Sequence, residues 1–416
     1  MKHGKQKVML ALLIGLAAIA IALFSLYTLE SQAANLSTDD LWIQAHSGSR
    51  SEDWIITTID DWGIVGWYTS LALEPAAPYT PHISYYASFP NYDLNYASLD
   101  GAVWLTTTVD WRGIVGYETS LALDASGYPR VSYYDYSNGD LKYAWLSGTK
   151  WLSETVDSEG NVGSYTSLAL PLTTPFTPHI SYYDTTNGDL KHAWLSGTKW
   201  LSETVDSEGI VGGHTSLALE PAPPHFPHIS YRDATNLALK YAFWNGTTWV
   251  IDTVDTDGSP GWYTSLALEP TSPYTPHISY FDRREQVLKY ASWDGTKWAS
   301  ETVDEVGSVG WYTSLALETG APHIPHISYY DFTNGDLKHA WLSGKKWLSE
   351  TVDSEGNVGR YTSIDLTITA AASYKICVSY SDDTNDALKL ACKTDDVSSN
   401  FYLPLVMKAF NPESGG

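Results

Sequence analysis

The chain has 416 residues and a formal net charge of −24, with 24 Lys and Arg against 48 Asp and Glu. This balance argues against nucleic acid as a partner, because phosphate binding needs clustered basic residues. The aromatic residues are 18 Trp, 29 Tyr and 9 Phe, so most rings carry a polar tip that suits a half-hydrated surface.

The N-terminus has the features of a targeting segment. A basic start with three lysines precedes Val8–Tyr27, which carries no charge over twenty residues. At about 1.5 Å per residue this run could span roughly 30 Å of hydrocarbon. A small-residue cleavage site stands at Ser31–Ala33. We expect residues 1–34 to be a cleaved signal peptide or a retained anchor, and the remainder to be exported, either extracellular or on the cell surface.

A repeat fills most of the chain. The motif Thr-Ser-x-x-Leu occurs seven times at intervals of 47 to 50 residues, beginning at Thr69, Thr119, Thr166, Thr215, Thr264, Thr313 and Thr362. Each copy contains four strand-length runs rich in β-branched and aromatic residues, which in the second copy are 119–123, 130–135, 140–145 and 150–157. Four strands in about 49 residues make one propeller blade.

The two ends of the chain complete each other. The seventh copy lacks the fourth strand, which begins with Trp elsewhere, and the segment Trp54–Asp60 supplies an unpaired strand of that kind before the first motif. The sequence therefore predicts an all-β fold, a seven-bladed β-propeller of four-stranded antiparallel blades over residues 54–392, closed by the N-terminal strand. Residues 35–53 form a lead-in, and residues 393–416 form a polar linker and a hydrophobic C-terminal tail.

Two features of the repeat resemble known propellers. The turns SWDGTKW (292–298) and SLDGAVW (98–104) resemble shortened Asp-box turns of sialidase-like propellers, although other copies, such as LSGTKW, lack the Asp. The register, with a repeat that starts on the outer strand and a small-residue strand lining the axis, resembles that of WD-repeat propellers. The chain thus resembles a secreted bacterial seven-bladed propeller, a likeness that implies a fold much more than an activity.

The two cysteines fall on facing strands of the last blade. In the hairpin of another repeat copy, pairing Tyr183 with Leu190 makes His179 face Trp194, and Cys377 and Cys392 hold the matching positions. Opposed residues of an antiparallel pair lie within disulfide range, and export provides an oxidising compartment. We expect a disulfide, with two buried free thiols as the alternative.

An aspartate ends the predicted fourth strand in every repeat, at Asp60, Asp110, Asp157, Asp206, Asp255, Asp304 and Asp353. We expect these carboxylates to cap local backbone amides in turns. Calcium bound by loops such as Asp157–Glu159 is the alternative, because closely spaced oxygen ligands suit this ion. No other cofactor or metal is expected.

Candidate ligand-binding residues are the two that precede each Thr-Ser, because the copies differ there. They belong to the face that carries the fourth-to-first and second-to-third strand loops, called the top face. The candidates are Trp67, Tyr68, Tyr117, Glu118, Trp262, Tyr263, Trp311, Tyr312, Arg360 and Tyr361. Flat rings among Asp and Asn suit stacking on sugar C–H faces and hydrogen bonding to hydroxyls. The alternative is that these rings only pack between blades.

Catalytic signatures are weak. A sialidase-type site would need three converging arginines. Arg112 and Arg360 fall in predicted top loops, Arg232 lies within a strand, and Arg283 and Arg284 are adjacent, so these residues do not indicate a triad. The recurrent His82, His179, His228, His277 and His326 lie inside second strands, where we expect structural roles rather than metal binding. The sequence favours a monomeric propeller that binds a glycan without catalysis. The alternatives are a protein–protein interaction scaffold and a sialidase-type glycoside hydrolase.

Overall fold

The computed structural model describes residues 54–171, 173, 176–369 and 373–396. This part of the chain is built from strands, and it contains no helix that could cross a bilayer. The predicted targeting segment, the lead-in up to residue 53 and the hydrophobic tail lie outside the described residues.

The strands follow the predicted runs closely. Those of the first three blades are β2 (Trp67–Leu73), β3 (Pro81–Ala87), β4 (Asp93–Asp100), β5 (Val103–Asp110); β6 (Val115–Leu123), β7 (Pro129–Asp135), β8 (Asp140–Ser147), β9 (Lys150–Asp157); β10 (Val162–Ala169), β11 (His179–Asp184), β12 (Asp189–Ser196), β13 (Lys199–Asp206). Those of the next three are β14 (Val211–Leu219), β15 (Pro227–Asp233), β16 (Ala238–Trp244), β17 (Trp249–Asp255); β18 (Trp262–Leu268), β19 (Pro276–Asp282), β20 (Val287–Trp293), β21 (Trp298–Asp304); β22 (Val309–Leu317), β23 (Pro325–Asp331), β24 (Asp336–Ser343), β25 (Lys346–Asp353). The seventh blade combines β26 (Val358–Ile368), β27 (Ser373–Asp382) and β28 (Ala387–Asp396) with β1 (Ile55–Asp60).

The seven sheets form a closed ring. In each of the first six blades the four strands pair antiparallel in chain order. The first strands of successive blades contact one another around the axis, and β26 of the seventh blade contacts β2 of the first. The predicted seven-bladed propeller is confirmed.

The seventh blade joins the two ends of the propeller. Strand β1 pairs antiparallel with β28, so that Ile55 faces Cys392. Cys377 of β27 in turn faces Cys392, and a disulfide joins them with their Cα atoms 4.2 Å apart. The ring therefore has a hydrogen-bonded seam that is further fastened by a covalent bond within the same blade.

The Thr-Ser-x-x-Leu motif links each blade to both neighbours. Thr166 Oγ1 donates to Ser132 Oγ of the preceding blade at 2.8 Å. The next residue, Ser167, accepts a hydrogen bond from the Leu217 amide of the following blade at 3.0 Å. The same two bonds recur at the seam, where Thr69 meets Ser379 and Ser363 accepts from the Leu71 amide. This role explains why the motif is kept in all seven copies.

The aspartate after each fourth strand bridges blades as well as capping a turn. Asp206 Oδ1 accepts the Glu208 amide at 3.0 Å, which confirms the capping prediction. Its Oδ2 accepts Tyr231 Oη at 2.7 Å and Lys240 Nζ at 2.5 Å, both from the next blade. The tyrosine bond occurs at all seven junctions, in the pairs Asp60–Tyr85, Asp110–Tyr133, Asp157–Tyr182, Asp206–Tyr231, Asp255–Tyr280, Asp304–Tyr329 and Asp353–Tyr380.

The outer strands are tied together by indole groups. Trp200 Nε1 donates to Glu154 of the preceding blade at 2.8 Å, and Trp249 donates to Glu203 at 2.9 Å. Trp54 of β1 makes the same bond to Glu350 at 3.0 Å, which extends the pattern to the seam. These glutamates therefore place charge on the outer edges and also accept hydrogen bonds between blades.

The recurrent second-strand histidines occupy structural positions. His179 Nδ1 lies 3.0 Å from His192 Nε2, and His326 Nδ1 lies 3.0 Å from His339 Nε2, on the facing third strands. His82, His228 and His277 contact a tyrosine hydroxyl at the corresponding place. Burial lowers the pKa of His179 to about 3, so this imidazole is neutral at physiological pH. The structural role predicted for these residues is confirmed.

Candidate functional site

A cavity of about 220 Å³ opens on the propeller axis. Its wall consists of the motif threonines and of the residue directly before each of them, which we call the axial ring: Tyr68, Glu118, Tyr165, His214, Tyr263, Tyr312 and Tyr361. All seven ring residues have φ between 51° and 55°, in the left-handed region that non-glycine residues seldom enter. The pairing register of each inner strand shifts here, as between Ser164 and Ser167, and the side chains line the axis.

Aromatic rings pass almost continuously around the axial ring. Neighbouring ring centroids from Tyr165 through His214, Tyr263, Tyr312 and Tyr361 to Tyr68 are 4.3 to 4.8 Å apart. Burial raises the pKa of Tyr165 to about 12, and it raises those of Tyr68, Tyr263 and Tyr361 further. The phenols therefore remain neutral, and the cavity offers apolar faces together with hydroxyl groups.

Glu118 is the exception in the axial ring. Its Oε2 accepts the Tyr165 amide at 2.5 Å, and burial raises its pKa to about 7. On the same ring, burial lowers the pKa of His214 to about 3, helped by the nearby charge of Arg232. Within the axial ring, Glu118 is thus the acidic group whose charge changes near neutral pH.

The predicted residues one position earlier do not line the cavity. Four of them, Tyr117, Trp262, Trp311 and Arg360, pack at a junction between blades, against a second-strand residue of the preceding blade and the first loop residue after the second strand of their own blade. Trp311, for example, lies 4.9 Å from Phe281 and 5.3 Å from Phe332, measured between ring centroids. We call these three-residue groups the junction clusters. The structure thus separates the ten candidates into an axial set and a junction set.

The junction clusters differ in chemistry from blade to blade. Tyr117 lies 4.4 Å from Tyr86 and 5.4 Å from Tyr136, measured between ring centroids, so this cluster is aromatic like that of Trp311. Trp67 stacks instead on Tyr361 of the axial ring, with centroids 6.1 Å apart. Part of the surface of these rings is therefore used in packing between blades, which was the alternative to ligand binding.

Two junction clusters carry arginine. Trp262 has the guanidinium carbons of Arg232 and Arg283 at 4.3 and 4.6 Å from its ring centroid. Arg360, which holds the position of Trp262 two blades further on, lies over Tyr330 and forms an ion pair with Asp383 at 2.9 Å. The Arg360 pair is neutral overall, whereas the Trp262 cluster carries two positive charges.

Sequence reasoning missed an exposed aromatic surface on the top loops. Trp62 is 66% exposed and Trp111 is 62% exposed, and the loops beside them carry Phe89 at 60% and Tyr136 at 58%. The Ile64 amide donates to Phe89 O, and the Tyr136 amide donates to Ile114 O, so these loops are bonded in pairs. We call Trp62, Phe89, Trp111 and Tyr136 the aromatic patch.

The sequence did contain a signal for the aromatic patch. When the fourth-to-first loops are aligned on their capping aspartates, Trp62 falls where other copies have Glu159 or Glu208, and Trp111 falls where they have Ser158 or Ser207. Comparing these loops between copies would have identified the two tryptophans, because only there do large rings replace small or acidic residues.

No group of three or more His, Cys, Asp or Glu that could hold a metal ion occurs among the described residues. In the loop considered for calcium, Asp157 Oδ1 accepts the Glu159 amide, and Oδ2 accepts Tyr182 Oη and Lys191 Nζ. Both oxygens of this carboxylate therefore already have partners in the protein.

No protein-family model matches the sequence, and a search of curated proteins gives no match. Solved propeller structures do resemble the chain. AofleA from Arthrobotrys oligospora aligns with a TM-score of 0.51 at 15% identity, covering 75% of this chain and 93% of that one. The SapL1 lectin in complex with alpha methyl fucoside aligns at 0.50 with 14% identity, covering 70% and 98%. An ulvan lyase, a polysaccharide lyase, aligns at 0.50 with 10% identity, covering 82% and 95%. At these identities the likeness supports the fold.

Proposed function

We propose that this protein is an exported propeller that binds glycans at its top face. The observation that carries the proposal is the aromatic patch, four large rings that are each more than half exposed on adjacent loops of one face. Large exposed rings on neighbouring hydrogen-bonded loops of one face are candidates for an interaction surface.

The chemistry around the aromatic patch suits a sugar. Arg112 lies over the Trp111 ring at 5.1 Å, and the exposed Asp61 precedes Trp62 on its loop. A pyranose presents an apolar C–H face and a rim of hydroxyl groups, so it can stack on a ring while its hydroxyls bond to short polar side chains. The axial ring extends this chemistry inward with neutral hydroxyls.

Two further points support the proposal. The SapL1 lectin, whose structure contains a fucoside, uses a propeller scaffold of this kind. The Cys377–Cys392 disulfide is in keeping with export, because such bonds persist in oxidising compartments. The basic and apolar N-terminus predicts the same destination, either released or held at the cell surface.

The test is a glycan-array screen of the purified full-length chain, followed by titration calorimetry with the selected sugar. Trp62→Ala combined with Trp111→Ala should weaken binding at least tenfold, because ring stacking on the sugar is lost. Tyr128→Ala is the matched control, since Tyr128 is 50% exposed on a loop of the opposite face.

The junction set needs its own variant. Trp262→Ala combined with Trp311→Ala should leave the aromatic patch intact, so a loss of binding in this folded variant would move the sugar to the junction clusters. A screen in which no glycan binds would contradict the proposed function and would favour a protein ligand. Hydrolysis of a fluorogenic sialoside would favour a sialidase-type glycoside hydrolase over a protein that only binds glycans.

A further inference from the structure

The cluster of Arg232, Trp262 and Arg283 concentrates positive charge on one indole. Arg232 lies at the end of the second strand of one blade, Trp262 begins the first strand of the next, and Arg283 opens a top loop of that same blade. The two guanidinium carbons lie 4.3 and 4.6 Å from the Trp262 ring centroid. Cation–π contact holds each guanidinium in place but leaves its charge uncancelled.

Neither guanidinium has an ion pair or a side-chain hydrogen bond with any residue that the structure describes. The Nε atom of Arg232 and the Nε1 atom of Trp262 are buried without an acceptor among those residues. The neighbouring Asp282 forms no ion pair with either arginine: its Oδ1 accepts three backbone amides, and its Oδ2 is buried without a hydrogen-bond partner among the described residues. Several strong donors therefore lack acceptors at one place.

The repeat supplies an internal comparison. At the junction of blades six and seven, the same three positions hold Tyr330, Arg360 and Asp383, and there the single guanidinium is neutralised by a carboxylate at 2.9 Å. The fold can thus place a carboxylate beside an arginine at this position. At the junction of blades four and five, the corresponding loop residue is Arg283, so a second positive charge stands where the other cluster has its negative one.

Placing two arginines together is unfavourable unless something compensates for them. Burial, and then the positive charge of Arg283, lowers the pKa of Arg232. The whole chain carries a net charge of −24, so a general excess of basic residues does not explain why two arginines lie together here. A bound anion would relieve the repulsion, because guanidinium groups match the geometry of carboxylate and sulfate oxygens.

We propose that Arg232, Trp262 and Arg283 form an oxyanion site that receives the carboxylate or sulfate ester of an acidic glycan. The sugar part of this inference rests on the proposed function, whereas the anion part rests on the cluster itself. The half-buried Trp262 ring would lie beneath the bound group, and the exposed Arg283 would close over it from the loop.

The experiment is titration calorimetry of the full-length chain with four probes: glucuronic acid, glucose 6-sulfate, glucose and inorganic sulfate. The two acidic sugars distinguish a carboxylate from a sulfate ester, glucose provides the neutral sugar, and inorganic sulfate provides the anion alone. Arg283→Gln should weaken binding of the acidic sugar about tenfold or more, since a hydrogen bond to a charged group is lost. Inorganic sulfate should compete with the acidic sugar.

Arg284→Gln is the matched control. Arg284 is exposed on the same loop one residue later, and only its backbone amide bonds to Asp282. The substitution removes the same charge, so an equal loss in both variants would show general attraction and would overturn the inference. Arg232→Gln provides a second test from the strand side, with its folding checked by circular dichroism.

The outcomes separate the two proposals. Acidic sugars that bind tenfold more tightly than glucose, with the loss confined to the cluster variants, support the oxyanion site. Equal affinity for glucose and for both acidic sugars overturns the oxyanion site and leaves the proposed glycan binding intact. If inorganic sulfate binds but neither acidic sugar does, the acidic-glycan inference is overturned. A glycan array in which no sugar binds would count separately against the proposed function.

Discussion

The bridge between Asp206, Tyr231 and Lys240 predicts how strongly neighbouring blades are coupled. We consider the substitution Asp206→Asn, which keeps the shape of the side chain and leaves one carbonyl oxygen to accept the Glu208 amide. An NH2 group then replaces the Oδ2 atom that accepts the Tyr231 hydroxyl. The substitution therefore weakens the tyrosine bond and also removes the charge that faces Lys240 Nζ at 2.5 Å. The lysine remains in the interior without its carboxylate.

The structure allows the size of this loss to be worked out. Removing one partner of a buried ion pair costs about 3–5 kcal/mol, because the other charge stays buried. Here the Asp206 side chain is 3% exposed and that of Lys240 is 11% exposed. Asp233 lies 3.9 Å from the same Nζ and partly replaces the lost carboxylate. We therefore expect the lower end, about 3 kcal/mol in the free energy of unfolding.

The seam of the ring provides the matched variant. Asp60 accepts Tyr85 Oη at 2.6 Å, but the position of Lys240 is held there by Asn95, so Asp60→Asn leaves no cation unpaired. We expect a loss of about 1 kcal/mol from the weakened tyrosine bond alone. Guanidinium denaturation of both variants beside the parent protein measures the difference. Equal losses in the two variants would refute the account, since the lysine would then contribute nothing.

The pH dependence gives an independent check. Burial alone would raise the pKa of Asp206, but hydrogen bonds from Lys240 and Tyr231 outweigh burial and hold this pKa below its usual value. A lowered carboxyl pKa contributes stability above the unfolded-state pKa, near 4, and that contribution is lost as the pH falls through the folded-state pKa. The difference in the free energy of unfolding between Asp206→Asn and the parent protein should therefore become smaller below about pH 4.

Three other predictions concern the seam, the disulfide and the axis. Deleting residues 52–60 removes β1 and should abolish cooperative melting followed by circular dichroism, and an unchanged melt would contradict closure by this strand. Replacing Cys377 and Cys392 by serine should lower the unfolding free energy by about 3 kcal/mol for a 15-residue loop; two alkylated thiols in unreduced protein, seen by mass spectrometry, would disprove the bond. Because burial raises the pKa of Glu118 to about 7, its ionisation should cost stability as the pH rises from about 4.5 to 7. Glu118→Gln should therefore become more stable than the parent above pH 7 in denaturant titrations. A difference in unfolding free energy that is constant with pH would count against this.

The fold could be predicted because its determinants are repeated. The motif threonine and serine, the capping aspartate and the fourth-strand tryptophan each make the same contact at successive junctions, so a regular spacing of these residues reports a regular structure. The missing fourth strand in the last copy was equally visible. What spacing could not show was that an aspartate such as Asp206 bonds across blades, because its partners Tyr231 and Lys240 lie 25 and 34 residues further along the chain.

The candidate site was predicted less completely, for a geometric reason. Residues that are neighbours in sequence, such as Tyr263 and Trp262, point into different surroundings because the backbone at Tyr263 has φ of 52°. One lines the axis and the other packs between blades, a division that an alternating strand pattern does not reveal. The aromatic patch was missed because its tryptophans lie in loops, where the copies were compared only for their acidic residues.

The same fifteen residues, LSGTKWLSETVDSEG, stand at 146–160 and at 195–209, and the contacts between blades give this repetition a physical reason. Their tryptophan, glutamate and aspartate bind the blades to each other, so a change in any one copy would leave partners unsatisfied in the adjoining blade. The junction clusters carry no such obligation, and they range from three aromatic rings at Trp311 to two arginines at Trp262. A ring built in this way can vary one junction without disturbing the other six, which is why we look for ligand recognition where the copies disagree.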